Sequence, residues 1–372
     1  MKVKNIKEII ESLIEPELKL ENDPVGLLIG SLEKDVSKIL ISLDITPAIA
    51  KEAVLKKVDL IITHHPLFYK PISRIVEGEF YSDIIIDLIK NDISLLSYHT
   101  AYDMELNGVS WAFGEAFGLQ NMRPLVSLKK LRGKDFIENY KLSVFTPKDH
   151  SENIKNALNL AGAGVQANYD YCFFQSSGVG NFRPLKNSNP FIGSEGHIES
   201  VDEVKVETIV SSWKLKKVIN ELIKAHPYEE VAYDIVPLLN YTDNYGLGVV
   251  GELTKDFTLE QFCDLLKSIT GMKTIKIGRF ERKTTIKTVA LLGGSGAGFW
   301  KDAVNKKADI FLTSDISHHQ FLEASLKINI AEITHHISEK FAIKKLSLYL
   351  KEKIKNLQIE LSEMDNDPIT EI

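Results

Sequence analysis

Cysteine is nearly absent from this chain of 372 residues: Cys172 and Cys263 stand far apart, and no CxxC spacing occurs. That excludes a disulfide framework and points to a reducing, cytoplasmic setting. Long apolar runs are missing too. The N-terminal "MKVKNIKEIIESLIEPELKL" has helical periodicity interrupted by charges, not the apolar stretch of a signal peptide, and no later run approaches membrane-spanning length. Positive charge is not in excess: 45 Lys and Arg against 51 Asp and Glu give a formal net charge of −6. This speaks against a dedicated nucleic-acid binder, whose affinity would rest on clustered cations. Low-complexity segments and short tandem repeats are lacking as well.

What remains is the composition of a globular protein, 44% hydrophobic and 26% charged, in a chain too long for one core. "KILISLD" reads as a strand, followed by Thr46 as a helix cap and Pro47 as a first-turn proline. "VDLIITH" and "DISLLSYH" are further strands, with the helical "SDIIIDLIKN" between them. Continuous apolar strands alternating with helices predict a mostly parallel, covered α/β sheet. From residue 138 to 238 the order of elements becomes βαββαβ, the ferredoxin-like pattern, with "YDYCFFQSSGVGNFRPL" read as a hairpin. The α/β rhythm then returns, and "SEMDNDPITEI" reads as a frayed polar tail. The expected division is 1–137, a first α/β lobe; 138–238, an inserted α+β domain; 239–360, a second α/β lobe; and 361–372, the tail.

Histidines and carboxylates collect at one kind of place. His64 and His65 follow "DLIIT"; His99 and Asp103 follow "ISLLSY". Asp315, His318 and His319 follow "DIFLTS"; His335, His336 and Glu339 follow "INIAEIT". Sites in open α/β sheets form outside the carboxyl ends of the strands, so groups remote in sequence meet along one edge. Pro66 and the end of the strand relax the alternation that would send His64 and His65 to opposite faces. His335 and Glu339, four apart, share one face of a helix starting near Thr334. Each piece has a plainer reading: a hydrogen-bonded His pair, an Asp cap, a solvated His–Glu pair. Their conjunction at four strand ends predicts a metal site, with imidazoles for zinc, iron or a similar ion and a carboxylate able to bridge two. Two such ions about 3.5–4 Å apart can activate water. The turn "LLGGSGAGFW" follows a strand as a phosphate cradle would, through Gly293, Gly294, Ser295 and Gly296, yet matches neither GxGxxG nor the P-loop; a tight strand-to-helix turn is the alternative. "AHPYEE" reads as a surface turn.

"DPVGLLIG", "ISLDIT", "ITHHPLF", "SYHTAYD", "LLGGSGAGF", "LTSDISHH" and "THHISEK" resemble, in order, the motifs of the Nif-three-like proteins, also catalogued as GTP cyclohydrolase I type 2 homologues. The resemblance spans nearly the whole chain. It implies a two-lobed α/β metal-binding core interrupted by a CutA- or PII-like insert. It implies two divalent ions per chain (zinc, iron or manganese) on His64, His65, Asp103, His335 and Glu339, with His99 and His319 as proton carriers. It implies a homohexameric ring. Pro24 replaces the family's usual Asn, and His336 stands where an aromatic or small residue is common. The adjacent His335 and His336 are both candidates, and the spacing to Glu339 selects His335.

The expected function is a di-metal hydrolase acting on a nucleotide or phosphorylated small molecule. The alternatives are a non-catalytic metal-binding regulator with a sensing insert, and a nucleic-acid phosphodiesterase, which the net charge disfavours.

Overall fold

A computed structural model describes residues 1–242, 244–281 and 284–370. The runs Lys38–Ser42, Leu60–Thr63 and Ser94–Ser97 lie side by side and parallel. The last two are buried at every position, as strands covered on both faces must be. Gly26–Ile29 pairs antiparallel with Ser94–Ser97, and Gln358–Leu361 adds parallel to Lys38–Ser42, making five strands. Thr46 caps the helix Pro47–Leu55 by accepting the Ile49 amide, and Pro47 fills the position where an amide hydrogen is not needed.

A second sheet repeats the parallel triplet with Thr285–Leu291, Ile310–Thr313 and Asn329–Glu332. Lys276–Gly278 flanks it on one side; Gly246–Thr258 and then Gln120–Ser127 flank it on the other, all antiparallel. The helix His335–Lys353 ties the two sheets together. Thr334 caps it, and Ala342, Ile343, Leu346 and Leu350 join the core of the first sheet. Phe341 packs on the cores of both. At about 1.5–3 kcal/mol for each large aliphatic side chain buried, this packing fixes the helix whose first turns carry His335 and Glu339.

The chain divides into two compact units, Met1–Leu131 with Asp243–Ile372, and Arg132–Thr242. The second is a four-stranded antiparallel sheet in the order Phe173–Phe182, Glu199–Ser211, Asn139–Pro147, Tyr233–Leu238. With helices Ser151–Leu160 and Leu215–Ala225, this is the ferredoxin-like arrangement. Its own core includes Leu142, Val144, Ile154, Leu158, Val206 and Leu222.

Two expectations change, and two strands were not foreseen. Residues 169–185 do not form a hairpin by themselves; Phe173–Phe182 is one strand whose partner is Glu199–Ser211. The strands Gln120–Ser127 and Gly246–Thr258 carry no clear apolar signal at their outer ends, which are exposed. The tail is held rather than frayed over its described residues 362–367: the Ser362 amide bonds Ile41 O at 2.9 Å, Asp365 accepts the Leu43 amide, and Asp367 accepts the Thr334 hydroxyl; residues 371 and 372 lie outside the described residues. Among the described residues, no helix is long and apolar enough to cross a membrane.

Candidate metal centre

The ends of four parallel strands, two from each sheet, deliver the polar residues. After Thr63 the ladder continues only through the backbone, with His65 N to Leu43 O at 2.9 Å and Tyr98 N to Thr63 O at 3.1 Å. The Thr63 hydroxyl donates to His65 O, and the Ser97 hydroxyl to His64 O. Held this way, the two adjacent imidazoles converge, their ring centroids 4.9 Å apart. His99 follows Ser97 and Tyr98, and its ring lies 5.3 Å from His64 and 5.5 Å from His65. Asp103 ends the helical turn Thr100–Asp103.

Glu339 stands at the middle. Its Oε2 is 3.1 Å from His65 Nε2 and 3.3 Å from His335 Nε2, and its Oε1 is 3.9 Å from His64 Nε2. Asp103 Oδ1 lies 3.7 Å from His64 Nε2. Two sets of possible ligands share His65: His64–His65–His99 and His65–His335–Glu339, each with its ligand atoms within 4.8 Å of one another.

The far side of every imidazole is anchored. Nδ1 of His64 faces Tyr98 O at 3.2 Å, and that of His65 faces Asp44 at 2.9 Å. Nδ1 of His99 meets Asp23 at 2.9 Å, and that of His335 meets Asp315 at 2.7 Å. A carbonyl or carboxylate is an acceptor, so each Nδ1 carries a hydrogen and donates it, and each Nε2 is left to the centre. This outer support is what metal-ligating histidines have. Two buried atoms there, His64 Nε2 and Glu339 Oε2, make no hydrogen bond. Orphaned buried atoms on a donor set of imidazoles and carboxylates fit a divalent cation.

The electrostatics agree. Burial drives the His64 pKa down to about 3, a neutral imidazole across the working range. Burial also disfavours charge on His65, but the carboxylates of Asp44 and Glu339 prevail and push it up to about 10. The Glu339 carboxylate does the same for His335, to about 9 against the cost of burial. Burial, reinforced by the charge of Glu339, holds Asp103 well above the usual carboxylate range. Burial works against ionised Glu339, yet His335 and His65 outweigh it and hold its pKa below the usual range. Protons thus occupy places that a divalent ion would take.

The structure does not bring every candidate together. His64, His65, His99, Asp103, His335 and Glu339 converge. His319 does not: it is exposed on the helix His318–Ala324, its ring 5.5 Å from His318. Ser317 caps that helix and starts it just past the strand end, on the solvent side. The glycine turn is built for closeness. The amides of Gly293, Gly294 and Gly296 donate to the hydroxyls of Ser110, Ser338 and Thr313, and the Ser295 hydroxyl donates to Asp315. Three of the four amides of a phosphate cradle are therefore engaged within the protein. Gly294 has φ +73°, and a Cβ there would meet Glu339 Oε1 at 2.5 Å. Asp23 and Asp44 were not singled out as site residues, although "ENDPVGL" and "ISLDIT" contain them. The signal was the position of Asp44 directly beyond a parallel strand. Tyr69, its ring 5.5 Å from His99, was missed as well.

A sequence model of the Duf34/NIF3 (NGG1p interacting factor 3) family matches residues 1–368. The chain belongs to the DUF34/NIF3 family. It is 36% identical over 380 residues to a protein of Halalkalibacterium halodurans named GTP cyclohydrolase 1 type 2 homolog, covering 100% of both chains. It is 34% identical to the Bacillus subtilis protein of the same name, covering 98% of this chain and 97% of that one. A solved Bacillus cereus protein related to NIF3 superposes with a TM-score of 0.85 at 35% identity, over 100% of this chain and 99% of that one. The two-lobed α/β core with a ferredoxin-like insert is thus the architecture of a DUF34/NIF3 member.

Proposed function

We propose that this chain is a di-metal-dependent hydrolase that acts on a nucleotide-like substrate, in keeping with the name its relatives bear. The observation that supports it most is the common anchoring of four imidazoles through Nδ1, which turns the Nε2 atoms of His64, His65 and His335 toward the one buried carboxylate of Glu339. His64, His65, Asp103, His335 and Glu339 would hold the ions, with His99 within reach as a further ligand or proton carrier. Such a pair supplies Lewis acidity and an acidified water near neutral pH. Within the chain, Asp23 holds His99 in one tautomer, so that its Nε2 can take or return a proton at the substrate. Tyr69 provides an exposed ring beside His99 against which a planar base can rest.

The reading predicts that GTP loses C8 as formate. Protein loaded in turn with zinc, manganese and iron should release formate, and Glu339→Gln should lose at least about 100-fold in rate, the order found when one preorganised charged group is removed. Intact GTP after long incubation with folded, loaded protein would remove this substrate. The reading includes the six-chain ring implied by family resemblance; sedimentation at single-chain mass would remove the ring alone.

The regulatory alternative has one observation in its favour. The insert holds a cavity of about 300 Å³, lined among others by Phe182, Phe191, Tyr228, Glu203, Glu229 and Glu230. Ligand binding by the insert, with no turnover by the full chain, would favour it.

A further inference from the structure

A group of ligating side chains beside the centre has no part in the hydrolase reading. Asp44, His336 and Asp365 each present one ligand atom, and the three atoms lie within 4.8 Å of one another. They come from three elements of one unit: the residues after strand Lys38–Ser42, the second residue of helix His335–Lys353, and the segment after strand Gln358–Leu361.

Each is held in place by other contacts. Asp44 Oδ1 accepts from His65 Nδ1 at 2.9 Å. Asp365 Oδ2 accepts the Leu43 amide at 2.7 Å. The C-terminal segment is fastened on either side of Asp365, by Ser362 N to Ile41 O and by the Thr334 hydroxyl donating to Asp367. His336 is fixed by the capped first turn of its helix. Its Nδ1 is nonetheless buried without a hydrogen-bond partner.

Two carboxylates this close repel; His65 answers Asp44 through one oxygen, and among the described residues no lysine or arginine is paired with Asp44 or Asp365. The ammonium of Lys56, which meets the same C-terminal segment, is engaged by Glu52, Glu360 and Glu363. Two carboxylates and one imidazole, converging from rigid elements, form a donor set for a divalent first-row ion. Tetrahedral ligands about 2.1 Å from a zinc-sized ion stand about 3.4 Å apart, so atoms up to 4.8 Å apart draw together by at most about 1.4 Å on binding, within reach of side-chain rotation.

We propose that Asp44, His336 and Asp365 form a further divalent-cation site, separate from the centre around Glu339 and joined to it by Asp44. Asp44 orients His65 through one oxygen and serves this site with its carboxylate. Occupancy here therefore changes how firmly His65 is held, and the two sites report on each other through one side chain.

The test counts ions. Full-length protein is stripped with chelator and dialysed to equilibrium against manganese(II) or cobalt(II) chloride; bound metal is measured per chain in wild type, Asp365→Asn, His336→Gln and Glu339→Gln. Asparagine keeps an oxygen for the Leu43 amide, and glutamine keeps a polar helix position, so two independent variants report on the same site. The expected result is one ion fewer per chain in both Asp365→Asn and His336→Gln than in wild type. In cobalt-loaded protein, the absorption bands lost should differ from those lost in Glu339→Gln. Equal metal content in wild type and in whichever of the two variants folds would overturn the site. Loss of metal in Glu339→Gln alone would leave the Glu339 centre standing without it, and loss in Asp365→Asn alone would do the reverse.

Discussion

An imidazole becomes a dependable ligand when its other nitrogen is occupied, and here the occupant differs from one histidine to the next. Asp315 serves His335 and also receives the Ser295 hydroxyl. Asp315→Asn is expected to weaken metal binding about 10- to 100-fold, read by competition with a chromophoric chelator; unchanged affinity would mean His335 does not ligate. Gly294→Ala should act without removing any polar group, because its Cβ would press on Glu339 Oε1 at a φ that L-residues rarely adopt. We expect it to lower metal affinity at least as much as Asp315→Asn while leaving the helical circular dichroism intact. At this scale the sequence displayed the residues that sit just beyond parallel strands, such as His64, His99 and His335, and Glu339 through its spacing of four from His335. It could not display Asp23, whose partner His99 is 76 residues away. It also placed His319 with its neighbours, because a cap at Ser317 redirects the chain and leaves no trace in residue type alone.

Among the elements, the C-terminal segment is the one whose role the residues concealed. It is polar and acidic, and solvated tails look the same. What orders it is a buried acceptor elsewhere: Glu52 receives the Ser362 hydroxyl, the Glu363 amide and the Lys56 ammonium. Burial opposes ionised Glu52, but these donors overcome it and hold its pKa below the ordinary 4.5. The folded value is the lower one, so the stabilisation is present above the unfolded pKa and disappears as pH falls through the folded value. Glu52→Gln should therefore cost about 1.5–3 kcal/mol at pH 7, seen as a lower urea midpoint, and the gap to wild type should shrink below pH 4. A constant gap across that range would assign the effect to packing. The parallel strands were legible for the opposite reason: covered on both faces, their centres are short apolar runs such as Ile39–Ile41, Leu60–Ile62 and Ile310–Leu312.

For the whole molecule, the insert interrupts a pair of hydrogen-bonded neighbours. Gly246 lies opposite Ser127 in the antiparallel pair that flanks the second sheet. The chain therefore leaves and re-enters the core at adjacent points, and a short link can replace the excursion. The core with 132–242 replaced by such a link should fold and bind the same number of cobalt ions per chain as the full protein. Arg132–Thr242 made alone should unfold cooperatively on its own core. The βαββαβ order made this unit legible, since helix and strand periods alternate cleanly there. The edges of the second sheet were not legible, because a strand paired on one side needs few apolar residues.

The strand Gln358–Leu361 completes the sheet begun by Gly26–Ile29 and Lys38–Ser42. During synthesis the early strands emerge first and wait for almost the entire chain before their last neighbour arrives. His64 and His65 appear on the ribosome some 270 residues before His335 and Glu339. Of the two possible ligand sets, His64–His65–His99 is therefore present early, whereas His65–His335–Glu339 waits for the C-terminal helix. That second set takes its spacing only in the finished fold, once the closing strand and the anchored helix are both in place.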